Sequence, residues 1–322
     1  MASNLLSVGP LGMGLAAPER VVSNDDLSLL VDTSDEWISS RTGIRTRRIL
    51  DAGQDTSDLA AAAATGALAK AGLEPEQIDL VLVATASPDM NFPSVAAQIQ
   101  GALGLKRAAA ADLSAACSGF IYGLDLAAAQ IQTGRAQHVL LVGADALSKL
   151  LDWTDRTTCV LFGDGAGAAV IGAVPEGYGL LGTSLGADGT GGEFLKVSSA
   201  GRADGRPVIT MAGREVYRFA VRIQPMACRA ALEAANLTIE DVDWFVPHQA
   251  NVRIIDAAAD RLGLPPEKVL LNLNKYGNTS AASIPIMMAE AVADGRIKRD
   301  DVVLTLGFGA GLTWGAAVLR WY

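Results

Sequence analysis

The sequence predicts a layered α/β sandwich built from two duplicated halves, and three observations predict it. Leu73–Val83 resembles Leu237–Pro247, and Val139–Gly143 resembles Val303–Gly307, each pair 164 residues apart. Continuous apolar runs alternate with helical patterns in both halves, as expected of strands covered on both faces. Half of the 322 residues are hydrophobic, so a sizeable core can be buried, and the length suits two domains or one large duplicated one. The halves are placed at residues 1–173 and 174–322.

The elements follow in the same order in each half. The chain opens at Met1 with an expected strand. A long Ala-rich helix comes first, over Asp58–Ala71 and again over Arg214–Ala235. A short loop leads to an apolar strand, Leu80–Ala84 and Trp244–Val246. After a small-residue turn a second helix follows, Cys117–Thr133 and Ser280–Asp294. A second buried strand closes each unit, Val139–Val142 and Val302–Leu306. Strand ends from both halves are expected to meet at one site, because ligands bind where strands of an α/β sheet end.

Composition narrows the function. No run approaches 18 uncharged apolar residues, so no membrane span is expected. The first residues show no basic segment and no cleavage signal, which reads as a cytoplasmic protein. Cys117, Cys159 and Cys228 show no C-x-x-C spacing, so neither a disulfide framework nor a metal site is expected. A net charge of −9 argues against nucleic-acid binding.

Three small-residue segments carry scarce side chains: Cys117 in Ala-Ala-Cys-Ser-Gly-Phe, His248 in Pro-His-Gln-Ala-Asn, and Asn278 in Tyr-Gly-Asn-Thr-Ser. The chain has only two histidines and three cysteines. A thiol, an imidazole and a carboxamide far apart in sequence suit thioester chemistry, with the thiolate as acyl acceptor and the other two as oxyanion partners. Cys117 precedes a helical run, where orphan N–H groups are expected to favour the thiolate. His248 follows a strand directly. Cys159, Cys228 and His138 have no comparable context and read as structural.

Two Gly-rich runs read differently. Gly163–Ala168 fits the loosest dinucleotide fingerprint, yet Ala-Val-Ile-Gly follows it, which reads as a strand where phosphate binding needs a helix. Gly307–Gly315 follows the last repeated strand, and such a turn lets backbone N–H groups approach a ligand closely or simply forms a tight hairpin. Arg214, Arg218, Arg222 and Arg229 fall within about 80° of one helix face at roughly 100° per residue. With Arg253 and Arg261 they form a local positive patch suited to a phosphate or an acidic carrier protein.

The chain closely resembles the β-ketoacyl-acyl-carrier-protein synthase III family, the initiating condensing enzymes of type II fatty-acid synthesis. The likeness spans nearly the whole chain and rests on the segments 33–45, 152–156, 162–167, 213–221, 247–251 and 307–315. It implies the thiolase fold, five layers αβαβα. It implies that Cys117 is the acylated nucleophile, that His248 and Asn278 bind the malonyl thioester carbonyl, and that backbone N–H groups of Cys117 and of Gly309 or Ala310 form the oxyanion hole. Trp37 and Arg156 look like the pair that sandwiches the coenzyme A adenine, and Arg41, Gly213, Asn251 and Arg253 match positions of the coenzyme A and pantetheine channel. Phe92 and Phe308 match acyl-pocket residues, Phe92 reaching into the partner of a homodimer. Arg218, Arg222, Arg253 and Arg261 match the carrier-docking face. The family often has a further Lys beside Arg261 where this chain has Asp260, which implies a weaker or shifted patch.

The implied reaction transfers an acyl group, acetyl as the expected starter, from acyl-coenzyme A to Cys117. It then condenses that group with malonyl-acyl carrier protein after loss of carbon dioxide, with coenzyme A as substrate and no separate cofactor or metal. Relatives that use another starter or acceptor in secondary metabolism are the nearest alternative. A degradative thiolase needs a second cysteine in the last turn, and 308–315 holds none. The retained Cys117, His248 and Asn278 speak against a non-catalytic acyl-binding protein.

Overall fold

The computed structural model describes residues 5–199 and 205–322, so the expected strand at Met1 lies partly outside the described residues. The first described strand is Val8–Ala16. A five-stranded sheet runs in the spatial order Val8–Ala16, Asp164–Ala173, Val139–Ala146, Leu80–Ala84, Ala109–Leu113. A four-stranded sheet runs Trp244–Pro247, Val302–Gly309, Thr313–Arg320, Gly179–Ala187.

The sheets form two layers of a five-layer αβαβα sandwich, the thiolase fold. The helices Gly119–Gln132 and Ser283–Ala293 lie between them, and Phe120, Leu124, Met287 and Met288 pack into one core with residues of both sheets. The Thr56–Ala71 helix covers the outer face of the first sheet with Leu59, Ala63 and Ala67. The helices Gly213–Ala234 and Val252–Leu262 cover the second with Ala231, Leu232, Ala258 and Leu262. Small side chains on the outer helix bring backbones close: a Cβ on Gly14 would sit 2.2 Å from Ala63 O.

The duplication extends to register. Leu80 pairs with Val139 in parallel, and Trp244 with Val303, the same partners shifted by 164 residues. The turns that open the two central helices, Ala116–Ser118 and Ser280–Ala282, obey the same shift. The copy is imperfect at one edge. Where the first sheet has Ala109–Leu113, the second has a single parallel bridge between Phe245 and Val269.

The sequence placed the repeated strands and helices to within a few residues. The two central helices differ at their starts, because a 3₁₀ turn precedes each and the α-helices begin at Gly119 and Ser283. The Gly163–Ala168 run leads straight into the strand Asp164–Ala173, as its β-like continuation implies. The strands Val302–Gly309 and Thr313–Arg320 pair antiparallel down to Gly309–Thr313, so the Gly307–Gly315 segment is a tight hairpin.

Candidate active site

Cys117, His248 and Asn278 meet at one cavity of about 190 Å³. Each comes from a different local device. Cys117 sits in the 3₁₀ turn that opens a central helix, and Ala116 before it adopts φ +46°. A non-glycine residue held there points to a site where geometry is over-determined by its surroundings. His248 follows the strand Trp244–Pro247 and is tied to the next strand by donating its N–H to Leu306 O at 2.7 Å. Asn278 is held by its backbone, its N–H donating to Leu161 O and its O accepting from Gly163 N.

All three side chains are buried. Nδ1 of His248 lies 2.7 Å from Ser283 Oγ, and Ser283 Oγ also accepts the Gln249 N–H at 3.3 Å. Phe308 packs edge-on against the imidazole at 5.4 Å. Burial pushes the His248 pKa down to about 3, so the ring is neutral across physiological pH. Asn278 Oδ1 accepts the Ser280 N–H at 2.9 Å, which fixes the carboxamide oxygen and leaves the amide NH₂ for other partners.

Cys117 departs from expectation in its charge state. The sequence placed it at a helix N-terminus, which favours a thiolate. Burial outweighs that effect and pushes the thiol up to about 12, with a hydrogen bond to Ser280 opposing the rise. The thiol donates to Ser280 Oγ at 3.3 Å. The resting sulfur is therefore protonated.

Gly309 closes against the nucleophile. A Cβ there would sit 2.7 Å from Cys117 N and 3.1 Å from Cys117 Cβ, so only glycine fits. Ala310 lines a second chamber of about 60 Å³ that also touches Cys117, with Ala86, Leu147, Phe162, Leu195 and Ile209. Phe308, expected in the acyl pocket, lines the larger cavity, against His248. Phe92 lines neither cavity of its own chain and is 85% exposed.

Of the outer residues, two reach that cavity. Gly213, at the first position of its helix, and Asn251, the N-cap of the next, both line it. Asn251 Oδ1 accepts the Arg253 N–H, and Arg253 donates to Ser40 O at 3.0 Å. Arg41 and Arg156 lie over the Trp37 ring at 4.9 and 5.3 Å, and Arg156 also donates to Asp32 O at 2.6 Å. Trp37 and Arg156 thus stack on each other, with no room for a flat ring between them. The arginine stripe is exposed as expected. Arg218 pairs with Glu215, while Arg222, Arg229 and Arg261 line a surface cleft of about 620 Å³ between two helices.

Sequence reasoning passed over Ser280, Ser283 and Asp145, which bond the nucleophile, the imidazole and the turn that holds Asn278. Small polar residues in small-residue turns look like caps, and Asp145 lies inside an apolar strand. His138 sits at the opposite strand end, with Nδ1 3.0 Å from Gln77 O, and Cys159 and Cys228 are buried in separate clusters.

A buried thiol, a neutral imidazole and a carboxamide at the strand ends of a duplicated αβαβα sandwich define a condensing acyltransferase. Family models described as 3-oxoacyl-[acyl-carrier-protein] synthase III and its C-terminal part match residues 111–189 and 232–321. A β-ketoacyl-[acyl-carrier-protein] synthase III of Caldanaerobacter subterraneus is 53% identical, over 98% of both chains. One from Bacillus anthracis is 54% identical, over 98% of this chain and 99% of its own. The crystal structure of the Aquifex aeolicus synthase III superposes with a TM-score of 0.94 at 47% identity, covering 98% of this chain and all of that one. The chain belongs to the β-ketoacyl-acyl-carrier-protein synthase III family.

Proposed function

We propose that the protein starts fatty-acid synthesis by a two-step exchange at Cys117. An acyl-coenzyme A enters along the cavity lined by Asn251 and Gly213, and the sulfur displaces coenzyme A to form an acyl-enzyme. Malonyl-acyl carrier protein follows. Its thioester carbonyl accepts hydrogen bonds from His248 and Asn278, carbon dioxide leaves, and the enolate attacks the acyl group to give 3-ketoacyl carrier protein. Nδ1 of His248 lies 2.7 Å from Ser283 Oγ, which also accepts the Gln249 N–H, and this reading puts the ring proton on Nε2, toward substrate. The developing oxyanion at Cys117 takes the Cys117 N–H and the backbone beyond Gly309, each donor contributing roughly 3 kcal/mol.

The convergence of Cys117, His248 and Asn278 on one cavity carries this reading. The 60 Å³ apolar chamber that touches Cys117 supports a short starter, acetyl above all. Coenzyme A as substrate places its adenine at Trp37, with Arg156 swinging out to stack on its other face. The reading needs no resident cofactor or metal.

Two surfaces support macromolecular partners. The Arg222–Arg229–Arg261 cleft, on a chain of net charge −9, offers a local positive face to an acidic carrier protein. The strand Ala109–Leu113 is a sheet edge without Lys or Pro, and Asp112 on it accepts Val95 N and Ala96 N just beyond the exposed Phe92. Unprotected edges pair with other strands. A homodimer joined there covers the edge and lends Phe92 to the partner's acyl chamber.

The test is intact-mass analysis after mixing with acetyl-, isobutyryl- or octanoyl-coenzyme A, with Cys117→Ser as control. A Cys117-dependent acetyl adduct, discharged by malonyl carrier protein to a ketoacyl product, supports the reading. Labelling by longer or branched donors alone moves the protein to another starter class. No adduct from any donor refutes it.

A further inference from the structure

Thr313 pairs across the last hairpin with Gly309, the residue that closes against the nucleophile. Its hydroxyl ties that hairpin to the Cys117 turn. Thr313 Oγ1 lies 2.9 Å from Ala115 O, just before the turn, and 3.1 Å from Ala310 O, in its own hairpin. Ser118 Oγ, directly after Cys117, lies 2.8 Å from Thr313 Oγ1 and 2.8 Å from Ala115 O. Ser118 is fully buried and Thr313 half-buried. A threonine that only closed its own hairpin would need no partner but Ala310 O. The contacts to Ala115 and Ser118 instead join the first half of the chain to the second.

The turn needs outside support. Ala116 is held at φ +46°, and Ala115 O, the carbonyl before it, also accepts the Ser118 N–H at 3.2 Å. Backbone of this kind keeps its shape only where its surroundings over-determine it. The hairpin is anchored independently, since Asp188 and Leu312 exchange both backbone hydrogen bonds, at 2.7 and 2.8 Å. Thr313 thus holds the turn at Ala115 O from a fixed strand. Its cross-strand partner Gly309 meets the same turn at Cys117 N, in a contact too close for a Cβ. One strand pair grips the nucleophile's turn at two points.

We infer that Thr313, together with Ser118, is a positioning residue that sets the spacing between the Cys117 N–H and the hairpin backbone beyond Gly309. Those are the two oxyanion donors of the proposed reaction, and the inference rests on that reading of Cys117. Thr313 touches no reacting atom. The donors serve twice: when the Cys117 sulfur displaces coenzyme A, and when the enolate displaces that sulfur. In both steps the negative charge on the acyl oxygen develops only in the transition state. Lost spacing therefore lowers kcat in both half-reactions and leaves KM in place.

The experiment compares the native chain, Thr313→Val and Thr313→Ser in three reactions. These are acylation by acetyl-coenzyme A, condensation with malonyl carrier protein, and alkylation of Cys117 by iodoacetamide. Valine keeps the shape and removes the hydroxyl, whereas serine keeps the hydroxyl. Thr313→Val is expected to slow both half-reactions about 30-fold, less than outright loss of an oxyanion donor, with KM within about twofold. Thr313→Ser is expected to restore most of the rate. Alkylation forms no oxyanion, so it should stay within about twofold of native in every variant. A loosened turn or fold would change alkylation as well, and an alkylation loss as large as the acylation loss overturns the inference. So does a native rate in Thr313→Val, or a Thr313→Ser as slow as the valine variant. If Thr313→Val fails to fold, Ser118→Ala removes the other hydroxyl and is expected to slow both half-reactions several-fold. Unchanged rates there overturn the inference too. A native chain that takes no acyl group overturns the underlying acyl-acceptor reading instead.

Discussion

Ala116 and Ser280 occupy the same place in the two repeats, 164 residues apart, and both hold left-handed backbone, φ +46° and φ +51°. Each opens a 3₁₀ turn that leads into a central helix, and the two turns face each other. The strands behind them also match. Gly143 lies against Ala281 O and Gly307 against Cys117 O, where a Cβ would come within 2.3 and 2.9 Å. Two positions on, the copies diverge. Asp145 accepts the Ala281 N–H, while its counterpart Gly309 leaves the Cys117 N–H without a carboxylate cap. Duplication built two similar turns, and the divergence at 145 and 309 closed one and opened the other.

Gly309→Ala tests that opening. The new Cβ would sit 2.7 Å from Cys117 N, on the backbone of the nucleophile, with no flexible side chain to yield. Acylation and condensation are both expected to fall about 100-fold or more, the usual cost of losing an oxyanion donor. Initial rates with acetyl-coenzyme A and malonyl carrier protein measure it. Near-native rates would show that the Cys117 N–H is not used.

His248 links the site to stability. Its folded pKa is about 3, below the unfolded value near 6.5. The unfolded chain therefore binds the proton first, and stability is lost as pH falls below about 6.5. At full slope the loss is about 1.4 kcal/mol per pH unit. His248→Gln keeps a donor and removes this titration. Urea unfolding at pH 7, 5.5 and 4.5 should show the variant gaining on the native chain as pH drops. A constant gap between them would contradict a buried neutral imidazole.

Much of this was legible before any coordinates, and for physical reasons. Leu80–Ala84 and Val139–Val142 are apolar throughout because both sheet faces are covered, so their strands stand out. Cys117, His248 and Asn278 stood out because rare side chains lay in small-residue turns. Ser280, Ser283 and Asp145 did not, since their roles depend on the other half of the chain folding against them. The rise in the Cys117 pKa is hidden from sequence for a related reason. Helix position is local and visible in sequence, whereas burial is set by the whole sandwich.

Trp37 is expected to act on binding alone. Its ring is stacked under Arg41 and Arg156 at the edge of the molecule, remote in sequence from the catalytic side chains. Trp37→Ala removes the stacking face, so KM for acetyl-coenzyme A is expected to rise about tenfold, in the range of a cation–π and stacking contact. The kcat should stay within about twofold, and a short acetyl-pantetheine donor should not notice the change. An equal loss with both donors would place Trp37 elsewhere in the reaction.

Arg222 separates the carrier protein from coenzyme A. It is exposed on the Gly213–Ala234 helix and lines the basic cleft with Arg229 and Arg261. Arg261 donates to Val221 O and Arg229 to Arg261 O, so replacing either also disturbs how the helices pack. Arg222 is the cleaner probe. Arg222→Glu reverses a charge in a patch that already contends with Asp260 and a net charge of −9. KM for malonyl carrier protein is expected to rise several-fold, and more at low than at high salt, because exposed charges are screened beyond about 10 Å at 0.1 M. Acylation by acetyl-coenzyme A should be unchanged. If both half-reactions weaken together, the cleft serves the fold or the coenzyme A path and the carrier docks on another face.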